Sequence, residues 1–379
     1  MKIALCIFRW FPYGGLQKDF LRMAELLAAR GHIVHAYCGN TSEDIPAISD
    51  EIHWTCISAP GVTNHARAKT FESRFTSICR RERFDCVVGF NKMAGLDFYF
   101  AGDTCLAERI ATRRGGAFLR MLPRYATFLS LERAVFSPRS ETRIFTIAIK
   151  QRQSYEKFWK TPKERFISVP FGMDARCGNV KKPAETRERK RRELGLKPGD
   201  FAIMLVGSDF KRKGAVRAIA AVAALPEALY AKTKLMLVGA SDAEKFSAIA
   251  NELGANDALQ ILGERDDVPE LMCAADLLVH PAHEEAGGSV LLEAAVSGLP
   301  VICTDVCGFA PKIAQWEGGR VLPSPFRQTE LNIAFLHALT GFVTSGTARR
   351  FPPLKLKTQT REEALVECVE RFCSERRKR

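Results

Sequence analysis

Short, nearly continuous apolar runs recur along this chain, and each is followed by a longer stretch with helical spacing. The first runs are KIALCIF (2–8), HIVHAYCG (32–39), CVVGF (86–90), RIFTIA (143–148) and RFISVP (165–170). After a polar stretch come FAIMLVG (201–207), KLMLVG (234–239), LQILG (259–263), DLLVHP (276–281), LPVICT (299–304) and GRVLP (319–323). A strand that is apolar on both faces must be covered on both, which is the situation of parallel sheets flanked by helices. The segment LQKDFLRMAELLAARGH (16–32) shows the matching helical pattern, with apolar residues at 16, 20, 23, 24 and 27 and a stop at Gly31. Alternation of this kind predicts an α/β, doubly wound architecture.

A chain of 379 residues with 46% apolar side chains has material for two or three cores. The charged, strand-free stretch from about 171 to 198, punctuated by Gly172, Gly178, Pro183 and Pro198, marks the break. It predicts two Rossmann-like domains, 1–170 and 171–350, with 351–379 supplying a final helix that can pack back on the first. Disordered, collagenous and small disulfide-scaffold classes are excluded by the composition. The twelve cysteines form no C-x-x-C pair and no zinc-type cluster, so they read as reduced core residues in a reducing compartment. Ile3–Phe8 is too short for a secretory leader, and no stretch approaches the 18 or so apolar residues of a membrane span. Both point to the cytosol.

Net charge is +13 and unevenly spread. Residues 1–170 hold 26 Lys/Arg against 16 Asp/Glu, whereas 171–379 hold 30 against 27. The first domain therefore carries a basic face suited to nucleic acid, anionic lipid or a phosphorylated substrate, and charge alone does not choose among them. Within it, residues 104–143 contain eight arginines and three glutamates, interleaved with Phe118, Leu119, Met121, Leu122, Tyr125, Phe128, Leu129 and Phe136. That mixture suits a membrane interface; the alternative is a pair of core-facing helices broken at Pro123.

Ligands of open α/β sheets bind beyond the carboxyl ends of the strands, so the loops there are where chemistry is to be sought. In HPAHEEAGGSVLLEAAVSGLPVICT (280–304) a strand ends at His280-Pro281, a loop carries Glu285, and Gly287-Gly288 opens a helix. Amides at such a helix start accept phosphate oxygens. Glu293 follows among Val290, Leu291, Leu292, Ala294, Ala295 and Val296, where a carboxylate needs a partner, either a ribose hydroxyl or a protein donor. GSDFKRKG (207–214) presents Lys211, Arg212 and Lys213 after a strand-end glycine, cations able to neutralise a diphosphate leaving group. FPYGGLQKDF (11–20) places Gly14 and Gly15 between the first strand and helix, with Asp19 in the first turns. P-loop, G-x-S-x-G, H-E-x-x-H and D-x-D motifs are absent, so P-loop NTPase, hydrolase-elbow and zincin classes lose their support. A metal bridging a diphosphate is likewise not indicated.

The pair Glu285 and Glu293, seven residues between them in a strand–loop–helix context, together with the Arg212-Lys213-Gly214 turn, resembles the retaining glycosyltransferases of family 4. Further stretches, VVGFNKMAGLDFYFAGD (87–103) and TDVCGFA (304–310), are similar to the branch of that family that builds the lipopolysaccharide core. The resemblance implies the GT-B fold, two Rossmann-like domains facing across a cleft, the first binding acceptor and the second the nucleotide sugar. It implies transfer of a hexose, glucose foremost, from a UDP-sugar to the inner-core heptose of lipopolysaccharide, with retention, without metal and with no cofactor besides the substrate. Gly14 and Gly15 would contact the donor diphosphate or frame the acceptor. Arg212 and Lys213, with the amides at Gly287 and Gly288, would hold the pyrophosphate. Glu285 would meet the donor sugar and Glu293 the ribose, while Arg176, after VPFGMD (169–174), matches a hinge-side arginine near a closure about 171–176. Asp19 would orient the acceptor or take its proton, and Asp103 is a second acceptor-side residue. An acceptor anchored in the cytoplasmic leaflet suits a peripheral protein touching the anionic inner membrane through 104–143, with no nucleic acid as partner. Other readings are transfer to a different glycolipid or glycan, a UDP-sugar epimerase, or a nucleic-acid binder.

Overall fold

The computed structural model describes residues 1–11, 14–39, 50–113, 115–170, 172, 174, 176–239, 242–345, 350–356 and 360–378, apart from the side chains of 342–345. Pro12, Tyr13, Arg114 and residues 171, 173 and 175 of the expected closure lie outside the described residues. The chain divides into two compact units, one formed by 1–172 with 358–379 and the other by 173–357.

In the first unit seven parallel strands follow the order β3-β2-β1-β4-β5-β6-β7. They are β1 (Lys2–Ile7), β2 (Ile33–Cys38), β3 (Ile52–Cys56), β4 (Cys86–Gly89), β5 (Phe98–Phe100), β6 (Arg143–Thr146) and β7 (Phe166–Ser168). Two of them were not among the apolar runs. β3 is an edge strand whose His53, Thr55 and Cys56 are exposed, so it never reads as continuous apolar sequence. β5 is buried throughout but only three residues long. The second unit holds six parallel strands in the order β10-β9-β8-β11-β12-β13. These are β8 (Phe201–Val206), β9 (Thr233–Val238), β10 (Leu259–Gly263), β11 (Leu277–His280), β12 (Val301–Thr304) and β13 (Gly319–Leu322). Helices follow almost every strand, as the doubly wound pattern requires.

The helix Arg361–Arg377 belongs to the first unit. Its start is fixed by a capping box between Thr360 and Glu363. Leu365, Val366, Val369 and Cys373 then enter the core beside Ile3, Leu5, Phe20, Leu27 and Phe98.

The segment 104–143 forms three helices, Leu106–Ala111, Gly116–Leu119 and Pro123–Phe136. Its character splits along its length. Phe118 and Met121 are 65% and 78% exposed, among exposed Arg113, Arg120 and Arg124. Leu131, Glu132, Val135 and Phe136 are buried, and Phe136 stacks on Tyr155 with ring centroids 3.6 Å apart. Phe136 is therefore core, not interface, which corrects its place in the proposed surface stripe.

Glu132 ties this region together. Its carboxylate accepts the N–H groups of Leu106 and Ala107 at 2.9 Å each, the indole of Trp159 at 2.7 Å and Lys92 Nζ at 2.7 Å. A carboxylate on one helix thus caps another. Burial pushes the Glu132 carboxyl up, but Lys92 and these donors hold it below the usual carboxylate value. Its contribution to stability is accordingly present above the unfolded-state pKa and lost as acid titrates the folded group. Glu132→Ala should lower unfolding free energy by about 3 kcal/mol or more, because it strands Lys92 and three further donors. Urea denaturation followed by tryptophan fluorescence measures this; a loss below about 1 kcal/mol would contradict the capping role.

Candidate functional site

The strand order of the second unit reverses direction between β8 and β11, which pair directly through Leu277 with Ile203 and Leu278 with Met204. Their outgoing segments, 207–214 with the helical turn Phe210–Lys213 and 281–288, emerge side by side at this switch point, where α/β sheets bind ligands. Close approach makes the two loops one structure. A Cβ on Gly214, whose φ is +82°, would lie 2.0 Å from the Pro281 carbonyl oxygen. The His283 N–H donates to the Arg212 carbonyl at 2.9 Å, and Arg212 Nη1 donates to the Glu284 carbonyl at 3.2 Å.

Glu285 sits at the centre of this junction and is 8% exposed. Lys213 Nζ donates to its Oε2, His280 Nε2 lies 3.2 Å from the same oxygen, and Arg212 Nη1 stands 3.7 Å away. Burial alone would raise the carboxyl, yet the imidazole hydrogen bond and the Lys213 and Arg212 charges hold it well below the usual carboxylate range. The Lys213 stem crosses the end of β8 where Gly207 has no side chain; a Cβ there would meet Lys213 Cγ at 2.8 Å. Lys211, by contrast, is exposed.

Gly287 and Gly288 are buried at the start of the helix Ser289–Val296. Gly288 adopts φ +88°, a left-handed conformation that glycine reaches without strain. The Gly287 carbonyl accepts the N–H of Phe309, fixing the turn to the loop after β12. Glu293 is half-buried on that helix, and its Oε1 accepts the backbone N–H of Asp174 at 3.2 Å. Asp174 in turn receives Arg176 through Nε at 3.1 Å and Nη2 at 2.7 Å, and Arg176 Nη2 also reaches the Asp266 carbonyl at 2.8 Å. The second unit therefore gathers Arg212, Lys213 and Glu285 into direct contact, while Glu293 and Arg176 are linked through Asp174.

The remaining candidates belong to the first unit. Gly14 is buried at the cap of the helix Gly15–Ala29, and Gly15 is exposed with nothing within 4 Å of where a Cβ would stand. Asp103 is exposed, its carboxylate 3.5 Å from Lys92 Nζ. Asp19, expected to serve the acceptor, is 8% exposed and ion-paired with Arg361 at 2.5 Å. Arg361 also donates to the Pro170 carbonyl at 3.1 Å and lies over the Phe100 ring. Burial pushes the Asp19 carboxyl up while Arg361 pulls against it. Sequence reasoning gave no role to His280, Asp174 or Arg361; a histidine closing the buried run LLVH was the one legible signal among them.

Comparison with known proteins bears on this arrangement. A family described as glycosyl transferases group 1 matches residues 186–341. The lipopolysaccharide glucosyltransferase WaaG of Escherichia coli is 41% identical over 340 residues, covering 90% of each chain. The crystal structure of WaaG, a glycosyltransferase involved in lipopolysaccharide biosynthesis, superimposes with a TM-score of 0.85 at 38% identity, covering 98% of this chain and 95% of that one. Anabaena HepE in complex with UDP-glucose shares the fold at 16% identity, with a TM-score of 0.66 over 99% of both chains.

Asp19→Ala and Arg361→Ala should each cost about 3 kcal/mol, since each leaves an uncompensated buried charge. The double variant should cost clearly less than the two losses added, as a direct pair requires. Equilibrium denaturation of the four proteins tests it; additive losses would mean the two charges do not hold one another.

Proposed function

The chain belongs to the group 1 glycosyl transferases, on the branch of WaaG, and from that premise we propose that it moves glucose from UDP-glucose to the inner-core heptose of lipopolysaccharide with retention of configuration. That the protein is a GT-B glycosyltransferase follows from the family; donor, stereochemistry and the absence of a metal requirement are our reading. The observation that carries it is the charge balance at the β8–β11 switch point. Arg212 and Lys213 face Glu285, and Arg212 also stands 3.7 Å from Asp209. Counted with Lys211, three cations meet two carboxylates, a positive surplus at the place where a doubly wound sheet takes a diphosphate.

Lys213 gives one N–H to Glu285 and has two more, and the Arg212 guanidinium has donors beyond its contact with Glu284. Together with the helix-start N–H groups after Gly288 they would hold the pyrophosphate. Glu285 would accept from the hexose hydroxyls, and Glu293 would serve the ribose. In the reaction the bond from C1 to the β-phosphate oxygen breaks and its electron pair leaves with UDP. The acceptor oxygen closes on C1 from the same face, and its proton passes to the departing phosphate. Cations aimed at that phosphate stabilise the charge as it develops. With Asp19 held by Arg361, Asp103 is the carboxylate we assign to the acceptor side.

Among the described residues no helix is long and apolar enough to cross a membrane. The exposed Arg113, Arg120 and Arg124 around Phe118 and Met121 support a peripheral contact with an anionic surface, which would bring the lipid-borne acceptor within reach on the cytoplasmic face.

Lys213→Ala and Glu285→Ala should each lower kcat by about 10²–10³-fold while circular dichroism stays unchanged. The assay is transfer from UDP-glucose, beside other UDP- and GDP-sugars, to truncated lipopolysaccharide; near-normal turnover by either variant would place the chemistry elsewhere. Replacing Arg113, Arg120 and Arg124 by glutamine should abolish cosedimentation with vesicles containing phosphatidylglycerol. Unchanged binding would dispose of the membrane contact.

A further inference from the structure

Lys213, His280 and Arg212 all approach Glu285 at Oε2, and among the described residues no hydrogen bond is made to Oε1. The contribution of His280 differs in kind from the other two. It is the last residue of β11, fully buried, and its Nδ1 has no partner among the described residues. An ionised carboxylate only accepts hydrogen bonds, so the proton between His280 and Glu285 resides on Nε2. A second proton, on Nδ1, would be a buried donor with nothing to receive it. Burial, with the Lys213 and Arg212 charges close by, also pushes the imidazole below its ordinary value. His280 is thus a neutral donor mounted on a rigid strand.

Lys213 reaches Glu285 on a long, rotatable stem, and Arg212 stands 3.7 Å away, beyond hydrogen-bond distance. An imidazole fixed at the end of a strand supplies direction. We propose that His280 is a positioning residue for Glu285: its Nε2–H holds Oε2 so that Oε1 is left as the acceptor for a hydroxyl of the donor's hexose. This rests on the glycosyl-transfer reading above and assigns His280 no proton transfer of its own.

The test compares His280→Asn and His280→Gln with the unsubstituted protein. A glutamine amide nitrogen reaches the place of Nε2, whereas that of asparagine stops near Nδ1. Steady-state transfer from UDP-glucose and calorimetric binding of UDP, which lacks the hexose, are measured for all three. His280→Asn should lose about 10²-fold in kcat/KM, the scale of a misplaced catalytic contact. Its UDP affinity should stay within about twofold, and His280→Gln should recover about tenfold or more of the lost turnover. The inference is overturned if His280→Asn turns over normally, if UDP affinity falls in step with turnover, or if glutamine is no better than asparagine. Failure of the unsubstituted protein to use any UDP-sugar would instead overturn the reading beneath it.

Discussion

A carboxylate kept charged while almost wholly withdrawn from water is the constraint around which the second unit is arranged. Moving such a group out of solvent costs several kcal/mol unless donors and opposite charge meet it. Glu285 is met by an imidazole from β11 and by two cations from the loop after β8. That requirement accounts for the glycines around it. Gly207 makes room for the lysine stem, Gly214 lets the two loops close on one another, and a Cβ on Gly288 would press on Glu285 Cγ at 3.3 Å. Arg217 completes the frame: it donates to the carbonyls of Pro281 and Ala282 at 2.9 and 3.0 Å while stacked over Phe326.

Much of this was readable in the chain itself, for identifiable reasons. Strands buried on both faces leave long apolar runs, so β1, β8 and β9 stand out. The half-exposed edge of β3 and the three residues of β5 leave no such trace. The Glu285–Glu293 spacing and the Arg-Lys-Gly turn lie on local, contiguous motifs, and pattern sufficed there. The Asp19–Arg361 pair joins residues 342 positions apart, and nothing near either announces the other. Mixed basic and aromatic composition over 104–143 does not separate exposed Phe118 and Met121 from Leu131, Glu132, Val135 and Phe136, which are buried. The charged stretch beyond 180 shows the same limit. Its helix Pro183–Glu193 turns Arg187 and Arg191 onto Asp276 and onto carbonyls closing the helix Val268–Ala274. Composition reports how many charges there are, but not which of them fold inward.

The first unit is completed by 358–379, residues that come after the whole of the second. On a ribosome, domains ordinarily fold in order of emergence. Here that order is inverted. The later sheet has all its strands while the earlier one still lacks Leu365, Val366, Val369 and Cys373, the side chains that seal its apolar face. Asp19 likewise waits for Arg361. Throughout synthesis of the 185 intervening residues, Met173–Lys357, that face of the amino-terminal sheet has the helix Gly15–Ala29 as cover but not the last helix.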